Sequence, residues 1–492
     1  MTLDGQLPDF HVTIALTDRV QFVNHLLKLK HGDDTGAGMN SAMALDSQVS
    51  RLVSLVDAEN PFDMPFAEAL PLQLQAINER FQDRVHRIKL LKNRAESGGV
   101  TQVGKMADIV PLLFAHTAYK SYPESWLVEQ KWDRLGRWLD TVSSNRLPPM
   151  SLEGIAGLDD WLNRLGEHGH FVSCSSGTTG KCAMMNATQV DLDFAGHALL
   201  RGLSFGGLQP NHDRRMISLG QVAATPRNRA TGKPMMEALS APGIAPFVPM
   251  VPPITIGGIT EMVTLRKKLA DGTAKPGEIA HYEAEAAARE QAVKSAVEQA
   301  ADAMIESRHM KLHVTGMMGP MYQVADLVRS RGYTAKDFHP QNSAFLSGGL
   351  KRAVLPPNYR EIIFDTFNLS HEHVVQAYGM QEISTTAIRC RAGRYHMAPW
   401  VMLLLLDESG EHLLEPTTDG EIEGRAAFFD LSLDGRWGGV ISGDKIRATW
   451  APCACGNRSP SVGEDIQRYA DLSGGDKIAC AGTIDAYVRG VT

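Results

Sequence analysis

The run Ser175-Ser176-Gly177-Thr178-Thr179-Gly180-Lys181 constrains this chain more than any other stretch. Residues without bulky side chains let the backbone come close to an anion, and successive amides and hydroxyls can converge on it. The Ser and Thr hydroxyls add donors, and Lys181 adds a mobile positive charge. Such a segment has the equipment to clasp a polyphosphate; the plainer alternative is a Ser/Gly turn at the surface. It is not a Walker loop. The first Gly of G-x-x-x-x-G-K would be residue 175, which is Ser, and Cys182 stands where Ser or Thr would meet magnesium.

A length of 492 residues is enough for a large core and predicts two to four domains of about 150 residues each. Apolar residues make up 43 % and charged residues 21 %, the balance of an ordinary globular protein. A net charge of −7 leaves no basic footprint for nucleic acid or an anionic membrane. The acidic start Met1-Thr2-Leu3-Asp4 lacks the layout of a signal peptide. The apolar run Trp400 to Leu406 is strand-sized, far short of a membrane span. Six unevenly placed cysteines do not read as a disulfide framework. A cytoplasmic chain is expected, with no nucleic-acid or membrane partner.

The spacing of Leu72, Leu74, Ile77, Phe81, Val85, Ile88 and Leu91 predicts one helix from Pro71 to Ser97, ended by Gly98-Gly99. The run Ile109 to Phe114, with Pro111 inside it, reads as loop or edge rather than central strand. Trp126 to Leu139 reads as a helix. From Phe171 onward strands and helices alternate, the pattern of an α/β protein. Strands are expected at Met216 to Leu219, Leu312 to Thr315, Ala344 to Leu346, Val374 to Tyr378 and Trp400 to Leu406. Helices are expected at Pro276 to Ser307 and Met321 to Arg331. Thr225 to Gly258, rich in Pro, Gly and Arg, is expected to be irregular and to cover a site.

Three further signatures follow the loop in order. Leu346-Ser347-Gly348-Gly349-Leu350-Lys351 runs a strand end into a double-Gly turn, where a flat ring can lie against bare backbone. Tyr378-Gly379-Met380-Gln381-Glu382 sets an aromatic ring and a carboxylate after another strand, suited to a base and to magnesium. Ile441-Ser442-Gly443-Asp444-Lys445 places an acid at a further strand end, where it can accept from two ribose hydroxyls. Each alone is commonly just a turn.

Together, in this order, they resemble the adenylate-forming superfamily, most closely its phenylacetate–CoA ligase branch and the acyl-protein synthetases of bioluminescence. Thr188 and Asp191 after the loop, the lead-in Asp108 to Pro123, and the turn Cys453-Ala454-Cys455-Gly456 are similar to that branch. The resemblance implies a large domain of sheets packed with helices, followed by a small lid domain that is truncated or absent here. It divides the chain into an N-terminal extension (1–70), a core (71–467) and a hinge with a lid remnant (468–492). The implied reaction is ATP-dependent and AMP-forming. An aryl or fatty acid becomes an acyl-adenylate and is passed to a thiol, CoA or a protein thiol. In the implied site, Ser175, Ser176, Gly177, Thr178, Thr179, Gly180 and Lys181 hold phosphates, with Thr178 and Glu382 toward Mg²⁺. Gly348 and Gly349 flank adenine, Tyr378 and Gly379 line the base or acyl pocket, Asp444 holds ribose, and Arg468 contacts ribose or phosphate.

The chain departs from this pattern in places. Gln381 replaces a Thr or Ser before the magnesium Glu, and Ala470 stands at the pivot, where Asp471 is the substitute. With the lid short, Lys445, Lys477 or an Arg of 225–258 is expected to supply its charge, or a protein partner or carrier protein to complete the enzyme. An amide-forming ligase or acyl-protein synthetase, the latter with Cys480 as acyl carrier, and a non-catalytic nucleotide-binding homologue are the alternatives; a homodimer is compatible with each. A Ser/His hydrolase is disfavoured because no G-x-S-x-G elbow occurs. Cys390, His396, Cys453 and Cys455 carry chemistry that suits zinc, but their spacing is not a paired C-x-x-C, and a turn with structural cysteines is the plainer reading. His371 and His373 read as solvated. Met317, Met318 and Met380 hint at an adaptable apolar wall.

Overall fold

The computed structural model describes residues 47–175, 182–219, 225–252, 254–347 and 355–472. The strands are β1 (Phe114–Ala115), β2 (Ser173–Ser175), β3 (Ala183–Met185), β4 (Arg215–Ser218), β5 (Leu312–Gly316), β6 (Asn342–Ser347), β7 (Leu369–Tyr378) and β8 (Ala387–Ile388). They continue as β9 (Tyr395–His396), β10 (Val401–Leu406), β11 (Leu413–Leu414), β12 (Ile422–Asp430), β13 (Gly439–Thr449), β14 (Ser461–Val462) and β15 (Gln467–Arg468).

Among the described residues, β4-β5-β6-β7-β8 form one sheet, parallel except for β8. Its helices lie on both faces, as parallel strands require. On one face Ala300, Met304, Met321, Val324 and Ile363 pack against Leu312, Val314 and Leu346. On the other, Leu199, Leu203 and Met235 pack on Met216, Val375 and Ile388. The helices Gln189–Phe205 and Pro226–Leu239 approach closely because Gly196 has no Cβ: one built there would sit 2.6 Å from the Ala230 carbonyl oxygen.

The second sheet runs β11-β10-β12-β13-β14-β9, antiparallel throughout, with β1 parallel and β15 antiparallel to β13. The α/β alternation therefore holds for the first sheet, whereas the chain after 387 builds its sheet from hairpin-like returns. Strand β10 is buried at every residue, and β12, which periodicity did not single out, is its partner along the full length. Among the described residues no helix is long and apolar enough to cross a membrane.

The helix Pro276–Glu306 and strands β4 to β7 and β10 lie where the sequence predicts. Other boundaries differ. The predicted Pro71 helix is two helices, Phe66–Arg84 and Lys89–Gly98, and Pro71 sits inside the first. Buried Ile88 and Leu91 keep the apolar spacing across the break, so periodicity reads through it. Gly99 does end the second helix, at φ +64°. Left-handed Gln130 divides Trp126–Leu139 into Glu124–Val128 and Trp132–Val142. After Pro111, Phe114 and Ala115 form a two-residue strand that pairs only with Val440 and Ile441 of β13 among the described residues, an edge position as the sequence predicts.

The section expected to be irregular contains the helix Pro226–Leu239, capped by Thr225, whose hydroxyl accepts from Asn228 N at 3.2 Å. The expected boundary at 70 falls within Phe66–Arg84, and Val49, Leu52, Val56 and Phe62 belong to the main core. Residues 1–46, 473–492 and the loop Gly32 to Gly38 lie outside the description.

His313 on β5 is fully buried, with Nδ1 2.8 Å from Ser343 Oγ. Burial, then the charge of Arg214, holds its pKa down at about 3, against an ordinary 6.5. The unfolded chain takes up this proton near pH 6.5 and the folded one does not until about pH 3. Its contribution to stability is thus complete above pH 6.5 and declines as pH falls toward 3. The expected slope from this group is about 1.4 kcal/mol per pH unit. Urea unfolding of the wild type and His313→Asn across that window should show the variant losing one proton's worth of slope.

Candidate functional site

The hairpin of β2 and β3 flanks the phosphate-loop candidate, pairing Ser173 with Met185 and Ser175 with Ala183. Ser176, Gly177, Thr178, Thr179, Gly180 and Lys181 lie outside the described residues, as do Gly348, Gly349, Lys351, Lys477 and Cys480. Ser175 closes β2.

Around the remaining candidates the chain converges. Tyr378 ends β7, and its phenol donates to Asp444 Oδ2 at 2.9 Å. Burial, then the charge of Asp444, raises the phenol well above the ordinary range, so it stays a donor. Asp444 is not at a strand end as expected; it lies within β13 opposite Arg468 of β15. Arg468 Nε stands 3.8 Å from Asp444 Oδ1, the acid 15 % and the base 69 % exposed. A largely buried carboxylate thus faces a solvent-reaching guanidinium, with Gly379 exposed at the end of β7 and backed by Thr386.

Glu382 is buried at 9 % exposure, and burial pushes its carboxyl above the usual range, with Lys120 and Arg436 drawing it back and Asp444 adding to the rise. The hydrogen bond acting on it comes from its own backbone. A buried carboxylate without an ion pair among the described residues is costly unless a cation reaches it, so its chemistry fits a hard divalent ion.

The loop bearing Glu382 is held by residues that sequence reading missed. Arg436, buried, donates to the carbonyls of Asn186 at 2.9 Å, Gln381 at 3.1 Å and Glu382 at 3.2 Å. Arg227 donates to Met380 O and Ser384 O. Asp430 Oδ2 accepts from the amides of Ser384 at 2.8 Å and Thr385 at 3.0 Å. Thr188 and Asp191 form a capping box at the start of Gln189–Phe205. Asp191 also accepts from the amides of Asp434 and Gly435, which places Arg436. Thr188 and Asp191 are marked in the sequence by their place after the loop; no local motif marks Arg436 or Asp430, which long-range backbone contacts define.

Of the expected stand-ins for the lid's charge, Lys445 and one of the arginines of 225–258 are engaged elsewhere. Lys445 pairs with Glu423 at 2.5 Å, and Arg227 is spent on the two carbonyls above. The turn Tyr469–Asp471, where a hinge is expected, is anchored by the ring of Tyr469, which lies 3.9 Å beneath the Arg425 guanidinium. His371 is exposed on β7, in keeping with a solvated residue, whereas His373 is half-buried with its Nδ1 shielded from solvent, so the solvated reading does not hold there. Beside Tyr378, a recess is lined by Ile383, Ala387, Met397, Val401 and Phe428.

No protein-family model and no curated protein matches the chain. Solved structures do. A 2-hydroxyisobutyryl-CoA ligase in the postadenylation state, in complex with R3-HIB-AMP, superposes with a TM-score of 0.50 at 13 % identity, over 83 % of this chain and 69 % of that one. The same ligase in an open conformation with 2-HIB-AMP and CoA gives 0.50 at 14 %, over 84 % and 72 %. Its thioesterification state with 2-HIB-AMP and CoA gives 0.50 at 15 %, over 84 % and 70 %. Over more than four-fifths of its length the chain thus shares the fold of that ligase.

Proposed function

We propose that this protein activates a carboxylic acid with ATP as an acyl-adenylate and passes the acyl group to a thiol, CoA or a protein thiol. The observation that carries the reading is the convergence of Tyr378 of β7, Glu382 of the loop after it, Asp444 of β13 and Arg468 of β15 into one electrostatic cluster. A carboxylate is a poor electrophile because its leaving group would be oxide. Its attack on the α-phosphate of ATP releases pyrophosphate and gives it AMP as a leaving group, which a thiolate then displaces.

Catalysis of the first step is positioning and charge neutralisation. In this reading Ser175 to Lys181 bind the β- and γ-phosphates, and Gly348 and Gly349 flank the adenine. Asp444, steadied by the Tyr378 phenol and Arg468, accepts from the ribose hydroxyls. Glu382 and Thr178 would hold Mg²⁺, which when bound supplies positive charge against the phosphates. The structures of the 2-hydroxyisobutyryl-CoA ligase with acyl-AMP and CoA support this assignment by fold.

The test is acid-dependent ATP–pyrophosphate exchange across a panel of aryl, hydroxy and fatty acids, with mass spectrometry of the product formed on adding CoA. Exchange with at least one acid is expected. ATP binding without exchange for any acid would instead make the chain a non-catalytic nucleotide-binding homologue. Adenylate that forms but is not transferred to CoA would favour an acyl-protein synthetase that needs a partner.

Tyr378→Phe tests the ribose side separately. Removing a donor to a charged acceptor costs about 1.5–3 kcal/mol, so the KM for ATP should rise about tenfold or more. The maximal rate should change less, because the phenol positions Asp444 and does not touch the reacting atoms.

A further inference from the structure

Away from the proposed nucleotide site, four ligating side chains that are scattered in sequence meet at one point. Cys390 follows β8, His396 lies in β9, and Cys453 and Cys455 occupy the turn after β13. Their ligand atoms all lie within 4.8 Å of one another, and three of the four residues are buried. Cys455 Sγ is 3.3 Å from His396 Nε2, and Cys390 Sγ is 3.9 Å from Cys453 Sγ. Zinc–sulfur bonds of about 2.3 Å and zinc–nitrogen bonds of about 2.0 Å at tetrahedral angles put ligand atoms roughly 3.5–3.8 Å apart. The observed edges straddle that range, and a disulfide, at about 2.05 Å, is far from it.

We propose that Cys390, His396, Cys453 and Cys455 bind one structural zinc ion. The surroundings are those of a built site. His396 Nδ1 lies 2.9 Å from Ser459 Oγ, which fixes the ring and turns Nε2 toward the thiols. Asn457 Nδ2 donates to Cys455 Sγ at 3.1 Å, the kind of bond a thiolate rewards. The turn is closed by Gly456 N to Cys453 O at 2.9 Å and Cys453 N to Asn457 O at 2.8 Å, with Gly456 at φ +102°. A turn of this kind presents both of its cysteines to one point, which the C-x-C spacing alone does not reveal.

Three thiolates and one imidazole complete a tetrahedron and leave no open position, so the ion has no room for a reactive water and its role is structural. Binding of the dication releases the thiol protons to solvent and leaves a site of net charge −1, with no change of oxidation state. The ion would knot three segments together. It fastens the end of the parallel sheet after β8 to β9 and to the turn that Asn60 and Asp63 hold through Asn457 and Arg458. Tyr395, next to His396, packs its ring 5.9 Å from that of Tyr378, so the knot braces the wall behind the proposed ribose site. The proposal does not rest on the ligase reading.

The experiment is elemental analysis of untagged full-length protein, with zinc release followed as thiols are titrated by an organomercurial. One zinc per chain is expected, freed in step with thiol modification. Cobalt loaded into chelator-stripped protein should give intense visible bands of tetrahedral coordination and thiolate-to-cobalt charge transfer. Cys455→Ser should lose the zinc, whereas Cys174→Ser, outside the cluster, should retain it. The release measurement on the wild type stands even if the Cys455 variant fails to fold. Zinc well below one equivalent, with all six thiols free and no tetrahedral cobalt spectrum, would overturn the proposal. So would an intact mass two hydrogens lighter, the sign of a disulfide in the cluster.

Discussion

Replacing Glu382 with Gln is expected to lower acid-dependent ATP–pyrophosphate exchange by about a hundred- to a thousandfold, the usual loss when one preorganised charge-stabilising group is removed. The same variant should be no less stable than the wild type at neutral pH. Burial raises the pKa of the Glu382 carboxyl, so the folded chain holds that proton more tightly than the unfolded one. The destabilisation is therefore complete above the folded pKa, and it is relieved as pH falls through that value toward the ordinary 4.5.

Gln carries no charge to desolvate and should escape this cost. Calorimetry at neutral and mildly acidic pH should show the variant's advantage shrinking as pH drops. A variant with unchanged exchange would remove Glu382 from the reaction, and one that simply unfolds would assign it a structural role. Such opposition between activity and stability is the mark of a group placed for function.

The second large effect is expected at Arg436. Its guanidinium satisfies backbone carbonyls of Asn186, Gln381 and Glu382 inside the protein, and Met in its place would fill much of the volume but donate nothing. Each buried carbonyl left unpaired costs about 1–3 kcal/mol, so Arg436→Met should lose about 3 kcal/mol or more. The urea midpoint should fall accordingly, with an unchanged slope if the unfolded state is the same. A loss under about 1 kcal/mol would mean that water replaces the guanidinium. Where the variant folds, exchange activity should fall as well, because the Glu382 loop loses its anchor on one side while Arg227 and Asp430 hold the other.

These two residues show how unevenly the site can be read from the chain. Glu382, Tyr378 and Asp444 stand out because each lies near a Gly at the close of an apolar run, a local pattern that reads as a strand end even where, as at Asp444, the strand continues. Arg436 is as central to the same loop but sits in an ordinary polar turn, Leu433-Asp434-Gly435-Arg436. Its partners lie 54 to 250 residues away in sequence, a separation that no periodicity records. The fold divides in the same way. Strands β4 to β7 are legible because each carries a short apolar stretch, such as Met216-Ile217 or Val374-Val375, at a spacing that alternates with helices. Strand β12 is as buried, yet Ile422-Glu423-Gly424-Arg425 opens it with a charged, glycine-broken pattern, and only pairing with β10 and β13 makes it a strand.

From its residues alone, the chain determined which segments bury apolar faces and which concentrate hydroxyl, carboxylate, thiol and imidazole groups, since both follow from local chemistry. The tertiary structure decided that Tyr378 reaches Asp444, that Arg468 lies across from it, and that Cys390 meets a turn more than sixty residues further on. The reason is physical. Composition and spacing act over a few residues, whereas a charge cluster or a ligand tetrahedron forms only where distant backbone segments are driven together by burial of the core between them.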